Sequence, residues 1–357
     1  MSSLAHHHVI ISDEEYQLPY SKGLMASAIM ATGLAPARAF HVAEVIEDRL
    51  VQTGLPQVCR KDLDDLALEV LRAEVGNRWA ESYANWQRVM SLDVPLVILL
   101  GGATGVGKST IATMLASRLG ITRVIPTDAI REVMRSMLSA EMFPTLHTSS
   151  YDTAGLVRGP LPRSADPVIV GFSEQTAALS VGVEALIHRA VAEGTDLILE
   201  GAHLVPGFVD LARFEGSAVV VPMVVTVDDE EAHRSHILKR ASEAGSRPAE
   251  RYLELFQNIR KMQRYLKSMA LQYGVAIVPS YNLDATLSQV IELVVSSAIG
   301  AVPAPADVAV PGEAPSRAPQ RAPVAAARPA ARTTSGGARS PARRAGRGWG
   351  LAPRKEH

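Results

Sequence analysis

The chain has 357 residues, 47 % hydrophobic and 20 % charged, which is enough for a large buried core and about two domains of ordinary size. Its 36 Lys and Arg against 37 Asp and Glu leave a net charge of −1, which excludes a uniformly basic nucleic-acid binder. A single cysteine, Cys59, excludes an internal disulfide and suits a reducing cytosol. No apolar run reaches the roughly 20 residues of a membrane helix, and the start, Met1–His8, lacks the basic and then apolar pattern of a signal peptide. The sequence therefore reads as a cytoplasmic protein without a membrane partner.

Residues 1–90 read as a small, mainly helical domain. Leu24, Ala28 and Ile29, then Ala39, Phe40, Ala43, Ile46 and Leu50, recur at spacings of three and four. Leu63, Leu66, Ala67, Val70 and Leu71 continue the pattern, with Asp62 or a neighbour as the cap, and Gly33, Gly54 and Gly76 punctuate it. From Val94 short β-rich runs alternate with helical stretches. Strands are expected at Val94–Gly101, Arg123–Pro126, Asp196–Glu200, Val219–Val227 and Val275–Val278. Helical periods between them indicate a parallel sheet flanked by helices over residues 91–300. Residues 301–357 are Ala, Pro, Arg, Gly and Ser with ten Lys/Arg against three Asp/Glu, so they read as a disordered basic tail. The first 300 residues then carry a net charge of −8. That acidity weighs against a nucleic-acid groove and leaves the tail as the one segment with charge for nucleic acid.

The strongest chemical signal is Gly102-Ala-Thr-Gly-Val-Gly-Lys-Ser109, which fits G-x-x-x-x-G-K-[ST] between an apolar strand and a helical run. Gly102, Thr104, Gly105, Val106 and Gly107 would curl the backbone so that its N–H groups face phosphate oxygens, with Lys108, Ser109 and Thr110 opening the helix. Lys108 would bridge the β- and γ-phosphates, and the Ser109 hydroxyl would hold Mg²⁺. The fold class is therefore α/β, a P-loop NTPase type. The loop alone leaves open a small-molecule kinase, a nucleic-acid or peptide kinase, and an NTPase switch.

After the second strand, Asp128 and Arg131 are expected one helical turn apart on one face. A carboxylate there can take or orient a hydroxyl proton as the oxygen attacks phosphorus, and an arginine can hold an anionic group of the acceptor. Asp128 could instead cap a helix over 129–139. Glu200 ends the third strand and could contact Mg²⁺ or the acceptor; Gly201 permits close backbone approach, and His203 is expected to face the cleft. Arg131, Arg135, His147, Ser149, Ser150 and Tyr151 form a donor-rich stretch suited to an anionic acceptor. Arg234, His236, Lys239, Arg240, Arg247 and Arg251 read as a basic lid, with Arg240 and Arg247 foremost in steadying the transferring phosphoryl group.

These segments together resemble the 2-phosphoglycerate kinases. The resemblance rests on Thr127–Arg135, Phe143–Tyr151, Glu200–Pro206, the P-loop and the stretch from Arg234 to Arg240 and on to Ile259-Arg260. Pro19–Met25 with Ala28–Leu50 is similar to the ATP-cone-like domain that precedes the kinase in that family. The match runs in order over about residues 9–298. It implies an ATP- and Mg²⁺-dependent phosphotransferase that passes the γ-phosphate to the 3-hydroxyl of 2-phosphoglycerate, giving 2,3-bisphosphoglycerate. Two other readings remain open from the residues themselves, a polynucleotide 5′-kinase-like transferase and a non-catalytic nucleotide-controlled regulator. Oligomeric state is not legible.

Overall fold

The computed structural model describes residues 9–12, 17–244 and 249–301, with backbone only at 240–244, 249 and 301. The basic tail after Ala301 and its arginines lie outside these residues.

The first part contains β1 (Ile10–Ser12), β2 (Gln17–Pro19), α1 (Lys22–Met30), α2 (Pro36–Gln52), β3 (Gln57–Cys59), α3 (Arg60–Glu74) and α4 (Asn77–Met90). The helices follow the apolar spacing; Ile29, Val42, Ile46, Val70, Leu71 and Tyr83 form a core of their own. The three short strands, in the order β2-β1-β3, were not expected, because three residues carry too little alternation to register as a strand. The cap of α3 also differs. Cys59 stands at the N-cap, its Sγ accepting from the Asp62 N–H at 3.4 Å, so Asp62 belongs to the first turn instead.

The second part runs β4 (Leu96–Gly102), α5 (Lys108–Leu119), β5 (Val124–Pro126), α6 (Thr127–Met137), α7 (Pro167–Glu193), β6 (Leu197–Gly201), β7 (Val219–Thr226), α8 (Glu230–Ala244), α9 (Ala249–Glu254), α10 (Phe256–Gln272), β8 (Ala276–Pro279) and α11 (Leu283–Ala301). Its five strands pair in parallel in the order β5-β6-β4-β7-β8. All seven residues of β4 are buried, as a central parallel strand covered on both faces requires. Leu96, Ile98 and Leu100 pack toward the core with Ile111, Leu115, Leu266 and Val290, and Val97 and Leu99 pack against Leu179, Val183 and Ile187 of α7.

Chain direction around β4 decides where chemistry can occur. From β4 the chain goes outward to β5 and returns through β6 on one side, then to β7 and β8 on the other. A crevice opens at the carboxyl end of β4, where neighbouring connections leave in opposite directions. By length and composition Leu283–Gly300 in α11 could cross a membrane, with a mean hydropathy of 1.3. Its Leu287, Val290, Ile291, Val294 and Ala298 are instead buried in the main core.

Candidate active site

The phosphate loop follows β4 directly, and α5 begins at Lys108. Gly107 stands at the N-cap with φ +90°, a left-handed conformation that a side chain would strain, so the turn into the helix calls for glycine. Lys108 is buried and donates to the Ala103 carbonyl at 2.8 Å, which folds its ammonium back across the loop. His233 of α8 secures the same loop from outside, its Nε2 lying 2.8 Å from the Thr104 carbonyl. Arg260 lies 3.3 Å from the other ring nitrogen. Burial, with Arg260 adding to it, pushes the His233 pKa down to about 4, so the ring is neutral and donates to Thr104.

Glu200 is buried at the end of β6, in register with Leu100 of β4 and Pro126 of β5. Its Oε1 accepts from Ser109 Oγ at 2.8 Å. The hydroxyl and carboxylate are hard oxygen donors facing an open cavity, where water and phosphate oxygens can complete a coordination sphere. That donor set suits Mg²⁺, which keeps several waters and takes one or two protein oxygens. No cluster of three or more His, Cys, Asp or Glu exists among the described residues that would favour another metal.

Asp128 does not cap a helix, because α6 starts one residue earlier, at Thr127, with Pro126 at the cap position. Asp128 thus lies in the first turn, 3.5 Å from Arg131 Nη2. Arg131 also donates through Nη1 to the Thr148 carbonyl at 3.1 Å, while its buried Nε has no hydrogen-bond partner in the protein. A buried cationic donor left open points to an anionic ligand.

These groups share one cavity of about 670 Å³. Lys108, Ser109 and Glu200 line one part of it, and Asp128, Arg131, Ser149, Ser150 and Tyr151 line the rest. Two further residues join them, Arg251 and Tyr252 of α9. Arg251 pairs with Asp152 at 2.7 Å, and the Tyr252 ring lies 5.6 Å from that of Tyr151. Burial is the main influence raising the Tyr151 pKa, which keeps its hydroxyl a donor. Arg251 belongs to the expected lid; Tyr252 was missed, since a lone tyrosine on a short helix carries no sequence signal.

Three residues expected at the acceptor are placed elsewhere. Arg135 is exposed and paired with Glu132 at 3.1 Å, and His147 is exposed with Nε2 at 2.8 Å from the Leu138 carbonyl. His203 does not face the cleft. It is buried behind the wall, with Nδ1 3.0 Å from Thr127 Oγ1 and Nε2 2.8 Å from Gln175 Oε1. Desolvation dominates a fall in its pKa to about 3, so the ring is neutral. Gly201 makes this arrangement possible, since a Cβ there would stand 1.8 Å from Thr127 Oγ1. Among the lid residues, Arg247 lies outside the described residues and Arg240 is described only as backbone in α8.

A second cavity of about 340 Å³ lies on the other flank of the phosphate loop. Gly105, Gly107, Thr110, His236, Lys239, Ser280, Tyr281 and Leu283 line it along with Lys108 and Ser109. Ser280 and Tyr281 were not foreseen, because they follow the last strand without any motif.

The chain is 36 % identical over 292 residues to a protein of Methanopyrus kandleri named 2-phosphoglycerate kinase, the match covering 82 % of this chain and 88 % of the relative. It is 37 % identical over 285 residues to a protein of the same name from Methanothermobacter thermautotrophicus, covering 79 % and 92 % of the two chains. One from Pyrococcus furiosus is 38 % identical over 285 residues, covering 80 % and 92 %. No family model matches the chain.

Proposed function

The chain belongs to the 2-phosphoglycerate kinase family, a family of phosphotransferases with an alcohol group as acceptor, and from that premise we propose that it transfers the γ-phosphate of ATP to the 3-hydroxyl of 2-phosphoglycerate. The observation that carries this reading is the single cavity joining Lys108 and Ser109 to Asp128 and Arg131. Donor phosphate and acceptor hydroxyl then meet inside one pocket.

The nucleoside part of ATP fits the 340 Å³ cavity beside Tyr281, which leads directly onto the phosphate loop. Lys108 would leave the Ala103 carbonyl for the β- and γ-phosphate oxygens, at little cost because one charge-assisted contact replaces another. Ser109 and Glu200 would hold Mg²⁺, whose charge, when it is bound with ATP, offsets the charge of the phosphates. The acceptor carries a carboxylate and a phosphate, and Arg131 and Arg251 supply cations on the cavity wall, with Ser149, Ser150 and Tyr151 as hydroxyl donors. Both arginines now face carboxylates, Asp128 and Asp152, which a doubly anionic acceptor would displace. Asp128, released from Arg131, takes or orients the 3-hydroxyl proton while that oxygen bonds to the γ-phosphorus and the bond to ADP breaks.

Residues 1–90 enter this proposal as a helical domain with a core of its own, joined to the second part by Ala31, Trp86 and Val89, and a cytoplasmic setting agrees with the free thiol of Cys59. The test is ADP release with Mg·ATP in the presence of 2-phosphoglycerate, 3-phosphoglycerate, glycerate or no acceptor. Stimulation confined to 2-phosphoglycerate, with a bisphosphorylated product by mass, is the expected result. Equal rates in all four would sink the assignment.

A further inference from the structure

Behind the acceptor wall, polar side chains from three separate segments join in a buried chain. Thr127 and Gln175 are fully buried and His203 nearly so. Thr127 Oγ1 meets His203 Nδ1, and His203 Nε2 meets Gln175 Oε1. Gln175 Nε2 lies in hydrogen-bond contact with the Thr145 carbonyl and 3.2 Å from the Thr148 carbonyl.

Two carbonyls at one end fix the direction of every proton along this chain. A carbonyl only accepts, so the amide of Gln175 must turn its NH₂ toward Thr145 and Thr148 and its oxygen toward the imidazole. That oxygen also only accepts, so His203 carries its proton on Nε2. Nδ1 is then an acceptor, and the Thr127 hydroxyl donates to it. The Thr148 carbonyl accepts a second time, from Arg131 Nη1 at 3.1 Å. The circuit therefore returns to α6, the helix on which it began. It ties the start of α6 to the loop after β6, then to α7, and then to the 145–148 segment.

Asp128 follows Thr127 directly, and Ser149 follows Thr148. The spacing between the reacting carboxylate and the hydroxyl-bearing side of the cavity is thus set, Arg131 apart, by side chains that do not line the cavity. We infer that His203 and Gln175 are positioning residues, holding α6 and the 145–151 segment at the separation the acceptor requires. Their effect falls on the acceptor and not on the nucleotide, because the phosphate loop is secured independently by His233. This inference rests on the reading that the 670 Å³ cavity takes the acceptor.

The test compares full-length wild type with Gln175→Leu, Thr127→Val and Thr127→Ser in steady-state kinetics with Mg·ATP and 2-phosphoglycerate. Thr127→Val removes one buried hydrogen bond and Gln175→Leu removes three, and each is expected to raise the acceptor KM about tenfold or more. The ATP KM should stay within about twofold, and Thr127→Ser, which keeps the hydroxyl, should restore the acceptor KM. On wild type alone, nitrogen spectra of histidine-labelled protein should show His203 neutral and protonated at Nε2 from pH 5 to 8. A proton found on Nδ1 would overturn the relay even if every variant misfolds. Parallel rises in both KM values, or an unmoved acceptor KM in an active enzyme, would overturn the positioning role alone. Wild type with no response to 2-phosphoglycerate would overturn it together with the reading beneath it.

Discussion

Ser109 and Glu200 stand 91 positions apart in the chain, yet Ser109 Oγ donates to Glu200 Oε1 across 2.8 Å at the mouth of the phosphate loop. Ser109 lies in the first turn of α5 and Glu200 next to the last residue of β6, so the pair forms only when β4 and β6 are in register. Glu200→Gln keeps the size and loses the charge. It should raise the Mg²⁺ concentration for half-maximal turnover by about 10–100-fold, read from a magnesium titration of the rate. An unchanged titration would remove Glu200 from the metal.

Lys108 and Arg131 line the same cavity but should fail differently when removed. Lys108→Ala should lower kcat by about 100-fold or more, the range for losing one preorganised charge at the transferring group. Arg131→Ala should raise the acceptor KM by roughly 10–100-fold, as for a lost charged hydrogen bond, while binding of a fluorescent ATP analogue persists. Equal loss of nucleotide affinity in both variants would contradict the division of roles.

Acid should weaken the fold through two histidines. His203 and His233 have pKa values lowered to about 3 and about 4 by burial, below the ordinary 6.5. The unfolded chain takes up protons below pH 6.5 while the folded rings stay neutral. The stability they contribute is therefore present above that pH and is lost as pH falls toward 4. Each is worth about 2 kcal/mol between pH 7 and pH 5 on this basis. Urea unfolding of His233→Gln should show a flatter pH dependence than wild type over that interval. Parallel curves would refute the buried neutral state.

Gly201→Ala places a methyl group where Thr127 Oγ1 now lies. The side chain it meets belongs to the first turn of α6, so the helix carrying Asp128 has to shift. Loss of acceptor-stimulated turnover, with ATP binding retained, is the expected result. Full activity would show that α6 tolerates displacement.

The central architecture was legible because a glycine-rich turn between an apolar strand and a helical run admits few structures. Asp128 and Arg131 were placed correctly on one face, since a spacing of three residues on a helix needs no tertiary information. Arg135, taken for an acceptor group as part of a donor-rich stretch, was misjudged. It shares that face, but four residues at 1.5 Å each carry it about 6 Å along the helix, to where it pairs with Glu132. His203 is held behind the wall by Thr127 and Gln175, partners from distant segments that sequence does not reveal. Gln175, Tyr252 and Tyr281 reach their places only through tertiary packing.

The strand order has a practical consequence for changing what the enzyme phosphorylates. Apart from Arg251 and Tyr252, every group proposed to face the acceptor comes from the stretch between β5 and the turn after β6, residues 124–203. The groups around Tyr281 come from the phosphate loop and from beyond β7. The central strand thus works as a seam. Exchanging the 124–203 stretch between related enzymes should transplant a preference for one hydroxy acid over another while the handling of the phosphate donor carries on unchanged.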